Sequence, residues 1–151
     1  MSTVSEREEL AEVIYFLTRR NPEFKFSHTG ARHTLRGFDN INLPKRASEE
    51  AVKKAKEEMG IDLTKMTWSN QKKFDKDRKT FILEHIWPVT DLLNECRKAK
   101  SKDEVSKILE KLETVWILRT EDIKLQKNNR ADPEKMYEDM GIKLVALKDH
   151  F

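Results

Sequence analysis

Apolar residues recur at helical spacing in three stretches of the chain. Leu10, Val13, Ile14 and Leu17 stand at i, i+3, i+4 and i+7, as do Val89, Leu92, Leu93 and Cys96, and again Val105, Ile108, Leu109 and Leu112. Each set draws one apolar stripe along a helix, and each stripe needs a partner surface. Pro88 suits the first turn of the middle helix, where a missing N–H costs nothing. Ser101-Lys102-Asp103-Glu104 is a capping box ahead of the third. A further helix is expected from Ser48 to Met59, opened by a capping serine and stopped by Gly60. Another is expected from Ser69 to about Ile86, with Phe74, Arg78, Phe81 and His85 close to one face.

Strand patterns are fewer. Thr114-Val115-Trp116-Ile117-Leu118 is β-branched and aromatic, and Ile142 to Leu147 reads as a final strand. Phe24-Lys25-Phe26 alternates as an early strand or extended loop would. Between the two late strands, Thr120 can cap a short helix to Leu125, and Asp132-Pro133-Glu134 opens a helix that Gly141 stops. The expected fold is α+β: one mostly helical domain over residues 1–151, with five to seven helices and a small sheet formed late in the sequence.

Composition narrows the class. Hydrophobic residues make up 37% and charged residues 38% of 151, enough apolar side chains in every third of the chain to build a core. No apolar run approaches the ~20 residues that span a bilayer, and Met1 to Leu10 carries no signal-peptide pattern. One cysteine, Cys96, excludes an internal disulfide and any multi-cysteine zinc site. A soluble, cytoplasmic protein without a membrane partner is expected. Cys96 completes a helix stripe and reads as a small buried hydrophobe. Trp87 and Trp116 lie in apolar surroundings and read as core; Trp68, between Thr67 and Ser69, reads as the exposed tryptophan.

The net charge of +3 is unevenly distributed. Between Glu23 and Glu49 the only acid is Asp39, while Lys25, Arg32, Arg36, Lys45 and Arg46 are basic and His28 and His33 share the window. Hydroxyls, imidazoles, guanidiniums and two glycines fall together in Ser27 to Gly37, as in a loop that grips phosphate. A basic surface loop that balances acidic helices has the same composition. No P-loop or dinucleotide fingerprint is present. A second cationic cluster, Lys124 to Arg130, ends a helix and complements its dipole, or touches a nucleic-acid backbone through Asn129 and Arg130.

The other chemistry lies in Phe81-Ile82-Leu83-Glu84-His85-Ile86-Trp87-Pro88, an adjacent acid and imidazole among large apolar residues. Imidazole moves a proton near neutral pH, and carboxylates hold hard divalent ions. On a helix adjacent residues point about 100° apart, and on a strand to opposite faces, so a shared site needs a second element. Glu121 and Asp122 are the obvious donors; both also suit the first turn of a helix, where acids complement the dipole. A hydrogen-bonded core histidine is the alternative for His85. The string Glu84-His85-Ile86-Trp87-Pro88 resembles the opening motif of the HNH (His-Me finger) endonucleases. That resemblance implies a ββα hairpin, His85 as the general base that activates water against a phosphodiester, and Glu84 as an acid beside one metal ion.

Two readings follow. In one, residues 25–46 bind phosphate, His85 acts as base with Glu84, Glu121 and Asp122 around it, and a divalent metal such as Mg²⁺ is the cofactor such carboxylates would hold. In the other, a non-catalytic helical module contacts nucleic acid or a protein partner.

Overall fold

The computed structural model describes the backbone of residues 4–20, 25–125 and 132–151, and the side chains of 6–20, 27–125 and 132–151. The helices are α1 (Val4–Thr18), α2 (Lys25–Ile41), α3 (Glu49–Lys53), α4 (Val89–Lys98), α5 (Lys102–Ile108), α6 (Arg119–Leu125) and α7 (Pro133–Asp139). The strands are β1 (Arg46–Ser48), β2 (Phe81–His85), β3 (Thr114–Leu118) and β4 (Leu144–Ala146). The fold is α+β and mostly helical, as expected. No described helix is long and apolar enough to cross a membrane. The chain divides into two compact units, one of residues 1–42 and 87–113, the other of residues 43–86 and 114–151.

The first unit is helical. Leu10, Ala11 and Ile14 of α1 meet Ala31 and Leu35 of α2, Leu92, Leu93 and Cys96 of α4, and Val105 of α5 in one buried cluster. The α4 stripe is buried as its spacing predicts, and so is that of α5 except for the half-buried Ile108. On α1 the buried stripe includes Ala11 and excludes Val13, which stays 45% exposed. Ser101 caps α5 by accepting from the Glu104 N–H at 3.1 Å, while the Glu104 carboxylate accepts from the Lys100 N–H at 2.7 Å. Arg19 donates to the carbonyls of Cys96 and Ala99, closing the last turn of α4 with a cation.

The second unit is built on a four-stranded sheet in the order β2-β3-β1-β4. β1 runs parallel to β3, and the other two pairings are antiparallel. Register places Ala47, Leu83, Phe81, Trp116, Leu118 and Val145 on one face. That face is covered by α3, by its π-helical continuation Lys54–Met59, and by Ile61, Leu63 and Met66. The Trp116 indole N–H donates to the Met66 carbonyl at 3.2 Å, satisfying the polar atom of a fully buried ring. Ser48 caps α3 through the Ala51 N–H at 3.0 Å. Gly60 ends the helical run at φ 62°, a left-handed position that favours glycine.

Two expected elements are different in the fold. Residues 69–86 form no helix: short 3₁₀ turns at Gln71–Lys73 and Lys76–Arg78 lead into β2. Side chains here compete with the helical backbone. Asn70 accepts from the Thr67 N–H at 2.7 Å, and Asp75, almost fully buried, accepts from Gln71 and from the Thr80 and Phe81 N–H groups. Gln71 also donates to the Phe81 carbonyl at 2.8 Å. Phe81, Ile82 and Leu83 then complete the open edge of β3. Likewise Lys25 and Phe26 open α2 rather than a strand, Phe24 lying outside the described residues. The buried Asp75 predicts that Asp75→Ala, by stranding two strand-initiating N–H groups, costs about 3 kcal/mol. Urea unfolding measures this, and Asp75→Asn should retain part of the loss.

Candidate functional site

The cationic window does not fold as a loop. Ser27 to Gly37 lies inside α2, so Gly30 and Gly37 are helix-interior positions rather than an anion cradle of free backbone N–H groups. Strong amphipathicity explains why: Ala31, Leu35 and Phe38 at i, i+4 and i+7 supply a burial face that outweighs the two glycines. Thr29, His33 and Arg36 form the exposed stripe of the same helix. The window is also divided: Lys45 and Arg46 belong to the sheet unit, where Arg46 pairs with Glu134 at 2.7 Å. Of Lys25 only the backbone is described.

Around His28 the geometry is specific. Arg97 of α4 meets its Nδ1, and Arg32, one turn along α2, meets its Nε2 at 3.4 Å. A neutral imidazole has one acceptor nitrogen, so it cannot satisfy both guanidiniums. Arg97 also donates to Asn94 at 2.7 Å. The buried Nε of Arg32 has no hydrogen-bond partner among the described residues. Nor is a described carboxylate ion-paired with Arg32, Arg36 or Arg97. The cluster thus holds more guanidinium donors than the acceptors that His28 and Asn94 supply. An anionic oxygen is what its chemistry lacks. Arg97 was not foreseeable from spacing, since it stands 69 residues from His28 and meets it only through the packing of α4 on α2.

The acid and imidazole of β2 diverge. Glu84 pairs with Val115 and His85 with Thr114, so the two side chains leave opposite faces of the sheet. Glu121 is nearly buried and occupied elsewhere: its Oε1 accepts from the Ser48 hydroxyl at 2.5 Å and from the Leu118 N–H at 2.9 Å. Leu118 pairs with Phe81 at the far end of β2 from His85, about 13 Å away at ~3.3 Å per residue. Asp122 follows in the same turn of α6. The hydrogen bonds of Glu121 thus lie at the opposite end of β2 from His85. β2 is followed by α4, and its antiparallel partner β3 comes only after α5, in place of the hairpin that the endonuclease resemblance implies. Among the described residues no three His, Cys, Asp or Glu side chains gather as a metal site. Of the Lys124 to Arg130 cluster, residues 126–130 lie outside those described.

No family model, curated protein or solved structure matches the chain.

The remaining assignments follow the sequence closely. Trp116 is fully buried and Trp68 is 41% exposed. Trp87 packs against the helical core, with the Lys111 ammonium 5.0 Å from its ring. Cys96 is buried. Burial first, and then Glu95, push its thiol from 9.0 up to about 11, with Arg19 opposing. Two outcomes are expected. Native Cys96 resists thiol reagents at pH 8 and reacts fully once unfolded. As pH rises from 9.0 toward about 11 the unfolded thiol ionises and the folded one does not, so stability falls through that window. Separately, Gly37→Ala should stabilise the protein by about 0.5–1 kcal/mol, because α2 accepts alanine and nothing lies within 4 Å of the new Cβ. A thermal melt decides it; a loss of stability would mean that α2 is not helical at Gly37.

Proposed function

We propose that this protein binds nucleic acid by its phosphate backbone, through α2 and the neighbouring Arg97, and does not cleave it. The convergence of Arg32 and Arg97 on His28 without a paired carboxylate carries this reading. Guanidiniums left short of acceptors bind phosphate oxygens strongly and in pairs. Arg36, on the exposed stripe of the same helix with His33, extends the cationic surface along its axis. Asp39, the only acid of α2, is buried and adds no exposed negative charge.

A hydrolytic role has less support. Of the carboxylates that would assist His85, Glu121 holds the Leu118 N–H at the other end of β2 and Glu84 leaves the other face of the sheet. Glu121 in particular acts as a structural acceptor, holding the Ser48 hydroxyl and the start of α6.

Binding to labelled DNA and RNA, titrated against salt, tests the proposal. Affinity should fall linearly on a log–log plot against salt concentration. Arg32→Ala and Arg97→Ala should each weaken binding about tenfold and lower the salt slope by about one. Salt-independent binding, or none at low salt, would overturn the reading. Cleavage with Mg²⁺ that disappears in His85→Ala would replace it with the hydrolytic one.

A further inference from the structure

We infer that the turn-rich segment from Lys65 to Lys79 is a stacking platform for single-stranded nucleic acid. This rests on the nucleic-acid reading above and names the form of nucleic acid the protein would take. The segment carries six cations, Lys65, Lys72, Lys73, Lys76, Arg78 and Lys79, against two acids. Asp75 is buried with its carboxylate occupied by N–H donors, which leaves Asp77 as the exposed acid. Two aromatic rings are exposed within the same stretch, Trp68 at 41% and Phe74 at 36%. A cationic surface interleaved with exposed rings is the combination that holds unpaired strands: the cations follow the phosphates, and the rings stack on bases of any sequence.

The platform is built rather than loose. The Arg78 guanidinium lies over the Trp68 ring at 3.9 Å, and its Nη2 donates to the Trp68 carbonyl at 3.0 Å. One face of the indole is therefore fixed by a cation, while the ring keeps substantial exposed surface for a second, stacked partner. Asp77 and Arg78 are consecutive non-glycine residues in left-handed conformation, at φ 56° and 52°. Left-handed arginine is costly, and such conformations persist where surrounding contacts impose them. Here the contacts are identifiable. Arg119 donates to the carbonyls of Arg78 and Lys79, the Arg78 N–H reaches the Asp75 carbonyl at 3.0 Å, and Asp75 itself is anchored to β2. The strain aims Arg78 at Trp68. Its buried Nε has no hydrogen-bond partner among the described residues.

The test uses the whole chain, a short oligo(dT) strand, a duplex of equal length, and heparin as a polyanion without bases. Trp68 is the exposed tryptophan, so oligo(dT) should quench the intrinsic fluorescence and heparin should not. Trp68→Ala should weaken oligo(dT) binding tenfold or more and leave duplex binding unchanged; Trp68→Phe should restore most of the affinity. If Trp68→Ala proves unstable, the double variant Lys72→Ala, Lys76→Ala replaces only exposed lysines and should lower the oligo(dT) salt slope by about 1.4. Equal quenching by heparin, a preference for duplex, or unchanged oligo(dT) affinity in Trp68→Ala overturns the platform. In those cases a binding loss in Arg32→Ala still upholds the α2 reading. No binding of any nucleic acid ends both.

Discussion

The sheet unit depends on one parallel pairing, β1 against β3. Three residues, Arg46–Ser48, join a strand contributed by a segment some seventy residues later. So short a ladder holds little by itself, and parallel pairing is the weaker kind per residue. Its end is fastened by side chains. The Ser48 hydroxyl donates to Glu121 and accepts the Ala51 N–H, so one oxygen terminates β1, starts α3 and reaches α6. Glu121 returns the link to β3 through the Leu118 N–H. Four elements thus share two nearly buried side chains. These hydrogen bonds give the nearly buried Glu121 carboxylate a structural task in that position.

A second polar arrangement does comparable work at the start of β2. Asp75 replaces the helical hydrogen bonds that Gln71 to Phe81 would otherwise make among themselves, and so decides that Phe81–His85 extends along β3. The apolar sequence Phe-Ile-Leu is compatible with either state. Tertiary context selects the strand, because β3 has an edge to be covered and a short buried acceptor stands ready at its beginning.

These two cases mark what was legible in the sequence. Helices α4, α5 and α7 were readable because their signals are local: the apolar stripes of α4 and α5, and the caps of α5 and α7, where Ser101 and Asp132 accept the expected N–H groups. Strand β3 was readable from its β-branched and aromatic run. α2 was not, because its glycines and polar residues mimic a loop, and only the packed partners of Ala31 and Leu35 show what the helix gains by forming. β1 was not, being three residues with no alternation to see. The candidate site divides the same way. The cationic excess of α2 was visible as composition, whereas Arg97 enters through contact between distant helices. Adjacency misled in the other direction. Glu84 and His85 are neighbours in sequence and opposites across the sheet.

The division of the chain has a consequence for synthesis. Each unit is assembled from two segments, and they alternate, so the polypeptide passes from one unit to the other three times, after residues 42, 86 and 113. Neither can be completed from a continuous stretch. As the chain emerges, α1 and α2 must wait for α4 and α5, and β1 must wait longer for β3. The helical unit can close once residue 113 is available, while α3 and β2 remain without their central strand. Long-range pairing of this kind is slow, and the exposed edge of an incomplete sheet is prone to association. All segments of the helical unit thus precede β3, an inner strand of the sheet, in the chain. The short length of β1, and its termination by a serine rather than by further apolar residues, limits how much sticky edge is on display in the interval.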